Sequence, residues 1–326
     1  MQDLYKKILL SDRLALSKGI TLVESTKKND RKKAESLIKK LYKKSGNSLR
    51  VGISGAPGVG KSTFIETLGL FLIEKKYKVA VLAVDPSSKK SGGSILGDKT
   101  RMQELSVSSR AFIRPSPSSG ELGGVARRTR ETMILTESAG YDIIFVETVG
   151  VGQSEITVAE MVDMFIVLLQ PGSGDELQGI KKGIIEIADL LIVNKEDEFK
   201  IETERTVAEY KSALSLLKKN EEEFNTNVVK CSSLKKIGIY EIWKIINDFY
   251  NVGKKRGWIK QKRSDQLIKW MWEDLQKNVL DNLKKNQKLL KQFSYLEKQV
   301  LKTKILPTEA SKKILHGFVK NNKKID

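Results

Sequence analysis

One eight-residue segment constrains the fold of this chain more than any other feature. It reads Gly55-Ala-Pro-Gly-Val-Gly60-Lys61-Ser62, and it lies between a predicted β-strand and a predicted helix. Glycines let such a loop curl so that successive backbone N–H groups face phosphate oxygens, and the helix N-terminus adds a favourable potential. The lysine neutralises phosphate charge, and the serine hydroxyl is a ligand for Mg²⁺. The segment therefore predicts a phosphate-binding strand–loop–helix unit.

Short apolar runs alternate with helical patterns over the middle of the chain. Seven of these runs predict buried strands, at Leu49–Ser54, Val79–Val84, Ala111–Arg114, Asp142–Glu147, Met164–Leu169, Leu190–Asn194 and Asn227–Cys231. Strands that are apolar throughout and separated by helices form parallel sheets covered on both faces. The pattern therefore predicts an α/β fold with a mostly parallel sheet.

The two ends of the chain have a different texture, because amphipathic helical spacing replaces the strand-like runs there. We predict an N-terminal helical extension over residues 1–44, the α/β domain over 45–252 and a C-terminal helical arm over 253–326. The segment 253–257 is polar, begins and ends with glycine, and is a hinge candidate. The arm has little core of its own, so we expect it to pack on the main domain or on a second subunit.

The net charge of +19 comes from 59 Lys and Arg against 40 Asp and Glu. Residues 1–50 carry a net charge of +9, residues 254–326 carry +13, and the middle carries −3. A basic chain invites a nucleic-acid or membrane interpretation. The excess lies on the two helical flanks, where we find no nucleic-acid-binding motif or aromatic platform. We therefore expect no nucleic acid and no membrane as partners, and we keep nucleic-acid binding only as an alternative.

The chain contains one cysteine, Cys231, and one histidine, His316. A single cysteine cannot form an intrachain disulfide, which fits a reducing compartment. The pair is also too few for a zinc or nickel site of the usual kind, so any metal should be a hard cation held by oxygen. There is no signal-peptide pattern and no apolar run of membrane-spanning length, so we expect a cytoplasmic protein.

A second nucleotide-binding signal ends a later predicted strand. Asn194-Lys195-Glu196-Asp197 matches the N-K-x-D pattern that reads guanine in GTPases. The aspartate accepts hydrogen bonds from N1–H and the 2-amino group of guanine, and adenine lacks that amino group. Cys231, Ser232 and Ser233 follow the next strand and fit the loop that supports the base.

Acidic residues end two more predicted strands beside the phosphate loop. Asp85 ends the second strand, and Glu147-Thr-Val-Gly150 ends another. Carboxylates in such places hold Mg²⁺ or its waters. Gly150 would offer its backbone N–H to a terminal phosphate. A turn or cap before Pro86 is the alternative for Asp85.

Five longer segments give the chain a specific resemblance. They are Val84–Ser88, Ser91–Met102, Phe112–Pro117, Val146–Glu155 and Gly174–Gly183. Over residues 45–250 the sequence resembles the MeaB/ArgK family of P-loop GTPases, which are chaperones of cobalamin-dependent methylmalonyl-CoA mutase. The resemblance implies a SIMIBI-like GTPase domain, an N-terminal helical extension and a C-terminal arm that forms a homodimer. The acidic residue of Glu-x-x-Gly, where GTPases generally have aspartate, matches this family.

The resemblance also implies a role for each candidate site residue. Asn194, Lys195 and Asp197 would bind guanine, and Asp85, Asp98 and Glu147 would lie near Mg²⁺ together with Ser62. The segment Asp175–Lys181 would contact the mutase, with Lys181 the candidate to reach the nucleotide. The implied phosphate-binding residues are Gly55, Ala56, Pro57, Gly58, Val59, Gly60, Lys61, Ser62 and Thr63.

The implied activity is hydrolysis of GTP to GDP and phosphate, with Mg²⁺ as cofactor. The family couples this hydrolysis to loading intact adenosylcobalamin onto the mutase and exchanging damaged cofactor. No residue declares itself as the group that positions the attacking water, although Gln153 is a candidate. We therefore expect slow intrinsic turnover that the mutase accelerates.

Besides nucleic-acid binding, two alternatives stay open at this point. The first is an ATP-dependent kinase or ATPase linked to amino-acid transport, a label that this family has carried; Asn194–Asp197 argue against it. The second is a metal-delivery GTPase for nickel enzymes, which generally uses segments rich in histidine or cysteine. Related acyl-CoA mutases are alternative partners to methylmalonyl-CoA mutase.

Overall fold

A computed structural model of the chain describes residues 2–85, 102–117, 122–148, 154–172, 182–215, 226–285 and 287–322. These residues separate into two compact units, one ending at Gln266 and the other beginning at Leu267. The predicted boundaries after residues 44 and 252 stay predictions. None of the helices in the described part of the chain is long and apolar enough to cross a bilayer.

The first unit is built on a seven-stranded sheet in the order β3-β2-β4-β1-β5-β6-β7, with every pairing parallel. This confirms the predicted fold class. The strands are β1 Leu49–Gly55, β2 Val79–Asp85, β3 Ala111–Pro117, β4 Ile143–Thr148, β5 Met164–Leu169, β6 Leu190–Val193 and β7 Asn227–Lys230. Each begins within one residue of its predicted start, because an apolar run that is buried on both faces has a clear beginning.

Helices cover both faces of this sheet, as a parallel sheet requires. The helices of both compact units, in chain order over the described residues, are α1 Gln2–Leu9, α2 Arg13–Glu24, α3 Lys28–Leu41, α4 Lys61–Glu74, α5 Gln103–Val107, α6 Leu122–Ser138, α7 Ser154–Ala159, α8 Lys182–Glu186, α9 Lys200–Ser215, α10 Ile239–Arg256, α11 Trp258–Lys285, α12 Gln287–Leu301 and α13 Pro307–Asn322.

The central strand marks where the chain changes direction across the sheet. Strands β2, β3 and β4 lie on one side of β1, and strands β5, β6 and β7 lie on the other. In open α/β sheets, ligands bind beyond the carboxyl ends of the strands at such a switch point. The glycine-rich loop follows β1 there, so the topology places it at the expected ligand-binding edge.

The N-terminal helices pack on α6 and are part of the first unit. Arg31 of α3 forms a bidentate ion pair with the buried Glu131, at 3.0 and 3.2 Å. The hydroxyl of Ser11 donates to the backbone oxygen of Ala139 at 2.6 Å. The buried faces of α2 and α3 therefore complete the layer of helices beside the sheet.

The predicted hinge at 253–257 is largely helical. α10 continues to Arg256, and Gly257, with φ of +81°, separates it from α11. Gly253 lies inside α10, where an added Cβ would be 2.6 Å from the Trp258 ring and 2.7 Å from Ile259. This glycine therefore allows a close packing contact.

An ion pair anchors the first turns of α11 at the amino-terminal edge of the sheet. Arg263 donates to both carboxylate oxygens of Asp163, at 2.7 and 2.6 Å, and to the backbone oxygen of Ser48 at 2.6 Å. Asp163 also accepts from the backbone N–H of Arg50 at 2.8 Å. The Asp163 carboxylate is buried, so its charge depends on these donors.

The second unit begins within α11 and contains α12 and α13. Leu283, Leu296 and Ala310 are its buried apolar residues among those described. A row of large apolar side chains on α11 is half exposed, and its members are Leu267, Ile268, Met271, Trp272 and Leu275.

We predict that Arg263→Met lowers the free energy of unfolding by about 3 kcal/mol, because it leaves the buried Asp163 carboxylate without its counterion. Urea denaturation would measure the loss. Arg205→Met is the matched control, since Arg205 pairs with Glu209 on the surface of α9 with 82% of its side chain exposed. Equal, small effects of the two substitutions would contradict the anchoring role.

Candidate nucleotide site

At two points of the glycine-rich loop, an added Cβ would clash with a neighbouring group. Gly55 has φ of +151°, and an added Cβ would lie 2.5 Å from the backbone oxygen of Leu168. Gly60 has φ of +94°, and an added Cβ would lie 2.6 Å from the Asn194 side-chain nitrogen. The first contact fits the loop against β5, and the second fits it against the residue that follows β6.

Gly60 also precedes the first turn of α4, and no side chain of the described residues caps that turn. The first N–H groups of a helix lack partners within the helix, and the helix dipole gives this end positive potential. The loop and the helix terminus therefore form a cradle that suits phosphate oxygens.

Lys61 is folded back over this loop. Its ammonium group donates to the backbone oxygens of Gly55 at 2.7 Å and Ala56 at 3.1 Å. These contacts hold the ammonium group against the start of the loop.

Ser62 and Glu147 meet beside the cradle, although they are 85 residues apart in sequence. The Ser62 hydroxyl donates to a Glu147 carboxylate oxygen at 3.3 Å, and Glu147 is buried. The next residue, Thr148, donates to the Ser54 hydroxyl at 3.0 Å and so joins the ends of β4 and β1. A hydroxyl and a carboxylate in contact form an oxygen-donor pair of the kind that Mg²⁺ prefers.

Asn194 connects the phosphate loop to the loop after β7. Its side-chain nitrogen donates to the backbone oxygen of Val59 at 2.9 Å. Its side-chain oxygen accepts from the Ser233 backbone N–H at 3.0 Å, the Ser233 hydroxyl at 2.8 Å and the Cys231 thiol at 3.3 Å. The side chain is buried, and the structure uses both of its ends to join elements; the predicted contact with guanine stays a prediction.

The residues after Asn194 turn outward along the same edge. Lys195 has φ of +65°, and the backbone N–H of Glu196 donates to the backbone oxygen of Cys231 at 3.1 Å. The Glu196 carboxylate pairs with Lys230 at 2.8 Å, whereas Asp197 is exposed. The segment therefore fixes Glu196 against β7 and leaves the Asp197 carboxylate accessible to a ligand.

Cys231 is a structural residue in this arrangement. Burial raises the pKa of its thiol to about 12, so the group is a neutral thiol at physiological pH. A neutral thiol is a poor nucleophile. Its contact with Asn194 instead helps to hold the loop that contains Ser232 and Ser233.

Several predicted site residues lie outside the described residues, namely Asp98, Gly150, Gln153 and Lys181, together with the rest of the segment 175–181. Asp85 is the last residue of β2 and so ends at the same sheet edge as the loop. The sequence motifs did not indicate the link from Asn194 to Val59 or the link from Thr148 to Ser54. Both join residues that are far apart in the chain, and only the assembled sheet brings them together.

Comparison with known proteins assigns a family to this site. Residues 16–288 match the family model described as methylmalonyl-CoA mutase-associated GTPase MeaB. This match confirms the resemblance that the five motifs carry.

Individual relatives agree with the family model. A probable GTPase of Mycobacterium tuberculosis is 48% identical over 305 residues, covering 93% of this chain and 91% of that protein. The mouse protein named methylmalonic aciduria type A homolog, mitochondrial, is 46% identical over 326 residues, covering 97% of this chain and 79% of that protein. A solved structure described as LAO/AO transport system kinase superposes with a TM-score of 0.78 at 36% identity, covering 98% of this chain and 97% of the other.

We predict that Gly60→Ala lowers the affinity for GDP at least about tenfold, because its Cβ would displace the Asn194 amide and its φ is unfavourable for alanine. Isothermal titration calorimetry would measure the affinity. Gly257→Ala is the control, since Gly257 has φ of +81° but open space around its Cα. If Gly60→Ala bound GDP with wild-type affinity, the close approach of Asn194 to Gly60 would not be required for nucleotide binding.

Proposed function

Because this chain belongs to the family of methylmalonyl-CoA mutase-associated GTPases, we propose that it couples GTP binding and hydrolysis to the loading and protection of adenosylcobalamin in methylmalonyl-CoA mutase or a related acyl-CoA mutase. The family is one of P-loop GTPases, and guanine nucleotide is its ligand. The observation that carries the proposal is the Asn194 junction, which joins the phosphate loop to the Cys231–Ser233 loop. One nucleotide can contact both loops only if they are held together.

Guanine would be recognised by the segment after β6. The exposed Asp197 carboxylate would accept from N1–H and the 2-amino group, while the Cys231–Ser233 loop would lie against the base. Adenine has no donor at either position, so a carboxylate facing it would lose its hydrogen bonds with water without replacement. This argument favours GTP over ATP.

The phosphates would lie in the cradle formed by Gly55–Thr63. Lys61 would exchange the backbone oxygens of Gly55 and Ala56 for phosphate oxygens, which carry full negative charge and bind an ammonium group more strongly. The lysine and the loop N–H groups would then stabilise the charge on the transferring phosphoryl group.

Mg²⁺ fits the oxygen donors that the structure brings together. Ser62 would be a ligand, and Glu147 would hold the ion or one of its waters, because the two side chains already touch. Asp85 is a further candidate from its place at the end of β2, as is Asp98 from its motif. When bound, Mg²⁺ neutralises charge on the β- and γ-phosphate oxygens.

The mutase would be the accelerator of hydrolysis. We propose that the segment 175–181 contacts the mutase and that Lys181 then reaches the nucleotide, as the resemblance implies. The protein would thereby hydrolyse GTP rapidly only when its partner is bound. The cobalamin chemistry would remain with the mutase.

The C-terminal arm would form a homodimer. Its support is the half-exposed apolar row on α11 that includes Ile268, Met271 and Trp272, since side chains of this size gain by burial against a second copy. A single-subunit mass by light scattering at micromolar concentration would contradict the dimer.

The alternative of an ATP-dependent kinase is favoured by one observation, the name kinase attached to the solved structure that superposes with a TM-score of 0.78. It requires hydrolysis of ATP at least as efficient as that of GTP. The Asp197 carboxylate argues for GTP, and the kcat/KM values of wild-type protein for the two nucleotides decide between them.

We predict that saturating methylmalonyl-CoA mutase raises kcat for GTP about tenfold or more, because Lys181 would then reach the nucleotide and stabilise the charge on the transferring phosphoryl group. Phosphate release would be measured with and without the mutase. Lys61→Ala should abolish hydrolysis in both conditions, whereas Lys75→Ala, an exposed lysine just beyond the end of the same helix, should behave as the wild type. An unchanged kcat for the wild type would contradict the proposed coupling.

A further inference from the structure

Thr67 makes a contact that the proposed roles do not use. It lies in the second turn of α4, the helix that begins at Lys61. Its hydroxyl donates to the backbone oxygen of Ser233 at 2.9 Å, and both residues are buried. The contact joins positions 166 residues apart. No sequence motif marks Thr67, because the signal lies entirely in the assembled fold.

The partner of Thr67 is the residue that Asn194 also holds. Asn194 accepts hydrogen bonds from the Ser233 backbone N–H and hydroxyl, and Thr67 donates to the Ser233 backbone oxygen. The polar groups of Ser233 are thus fixed from two directions, by the residue after β6 and by the phosphate-loop helix.

The rest of this loop is closed on itself. Ser232 and Ile237 exchange backbone hydrogen bonds at 3.1 and 3.0 Å, and the Ser232 hydroxyl accepts from the Lys235 N–H at 3.0 Å. A loop that is stiff internally moves as one piece. Cys231 also ties the loop to the segment after β6, but the contact of Ser233 with Thr67 links it directly to the phosphate-loop helix.

We propose that Thr67 is a positioning residue for nucleotide binding, which sets the distance between the phosphate cradle and the base loop through its hydrogen bond to Ser233. The inference rests on the proposed guanine site, in which the base lies against Cys231–Ser233. A nucleotide that spans both loops gains affinity when they are held at the correct separation before it binds. Loss of one tether weakens binding without removing any group that touches the nucleotide.

Thr67→Val tests this directly, because valine keeps the shape of threonine and removes the donor. We expect the dissociation constant for GDP to rise about five- to twentyfold, in the range of a lost hydrogen bond to a buried acceptor. The KM for GTP rises in parallel while kcat at saturation is unchanged, since the groups around the phosphates are intact. Calorimetry with GDP and steady-state hydrolysis of GTP measure these quantities.

Two control variants separate positioning from general stability. Thr67→Ser keeps the hydroxyl and should restore GDP affinity to within about twofold of wild type. Thr136→Val makes the same chemical change at a buried threonine of α6, whose hydroxyl donates within its own helix to Thr132 and Met133 at 3.1 and 2.9 Å. It should leave GDP affinity unchanged.

Two results would overturn the inference. One is an unchanged GDP affinity in Thr67→Val, whether or not kcat and the melting temperature fall, and the other is failure of Thr67→Ser to restore binding. The wild-type preference for GDP over ADP distinguishes a failure of the proposed guanine site from a failure of the proposed role of Thr67. If that preference is absent, the proposed guanine site itself fails; if it is present and Thr67→Val binds GDP normally, only the role of Thr67 fails.

Discussion

The hydrogen bonds of the Asn194 side chain are the constraint on which the nucleotide edge depends. One end of this amide holds the backbone of Val59 in the phosphate loop, and the other holds Ser233 in the loop after β7. Because the amide lies against Gly60, no residue with a Cβ fits at that position without displacing it. A requirement at the end of β6 thus determines which amino acid can end the phosphate loop after β1. The two sequence motifs, far apart in the chain, form one structural unit.

Charge has different roles at the two edges of the sheet. At the amino-terminal edge, the buried carboxylates of Asp163 and Glu137 are compensated by Arg263 and Arg50, and these pairs join the first turns of α11, and α6, to the sheet. At the carboxyl-terminal edge, Lys61 contacts backbone oxygens of the phosphate loop and Glu147 contacts the Ser62 hydroxyl. The middle of the chain is close to neutral, so its phosphate affinity would come from a few placed groups. The excess of +19 belongs to the helical flanks.

The sheet could be predicted from sequence because its strands are apolar runs separated by helical patterns. The phosphate cradle could be predicted because its glycines and lysine are adjacent in the chain. The contacts of Asn194 with Val59 and of Thr67 with Ser233 could not, since each joins strands or helices whose proximity follows only from the sheet order. The segment 253–257 was predicted as a polar hinge because glycine allows both flexibility and close packing, and only the neighbouring Trp258 and Ile259 show that Gly253 packs closely.

We propose that this edge of the sheet binds a guanine nucleotide through the Asp197 carboxylate. Xanthine carries an oxygen where guanine carries its 2-amino group, so an amide at position 197 could donate to it where a carboxylate cannot. The most direct test is calorimetry of GDP and xanthosine diphosphate with wild-type protein and Asp197→Asn. We expect the substitution to lower the affinity for GDP at least about tenfold and to raise the affinity for xanthosine diphosphate. Unchanged affinities for both nucleotides would contradict the account.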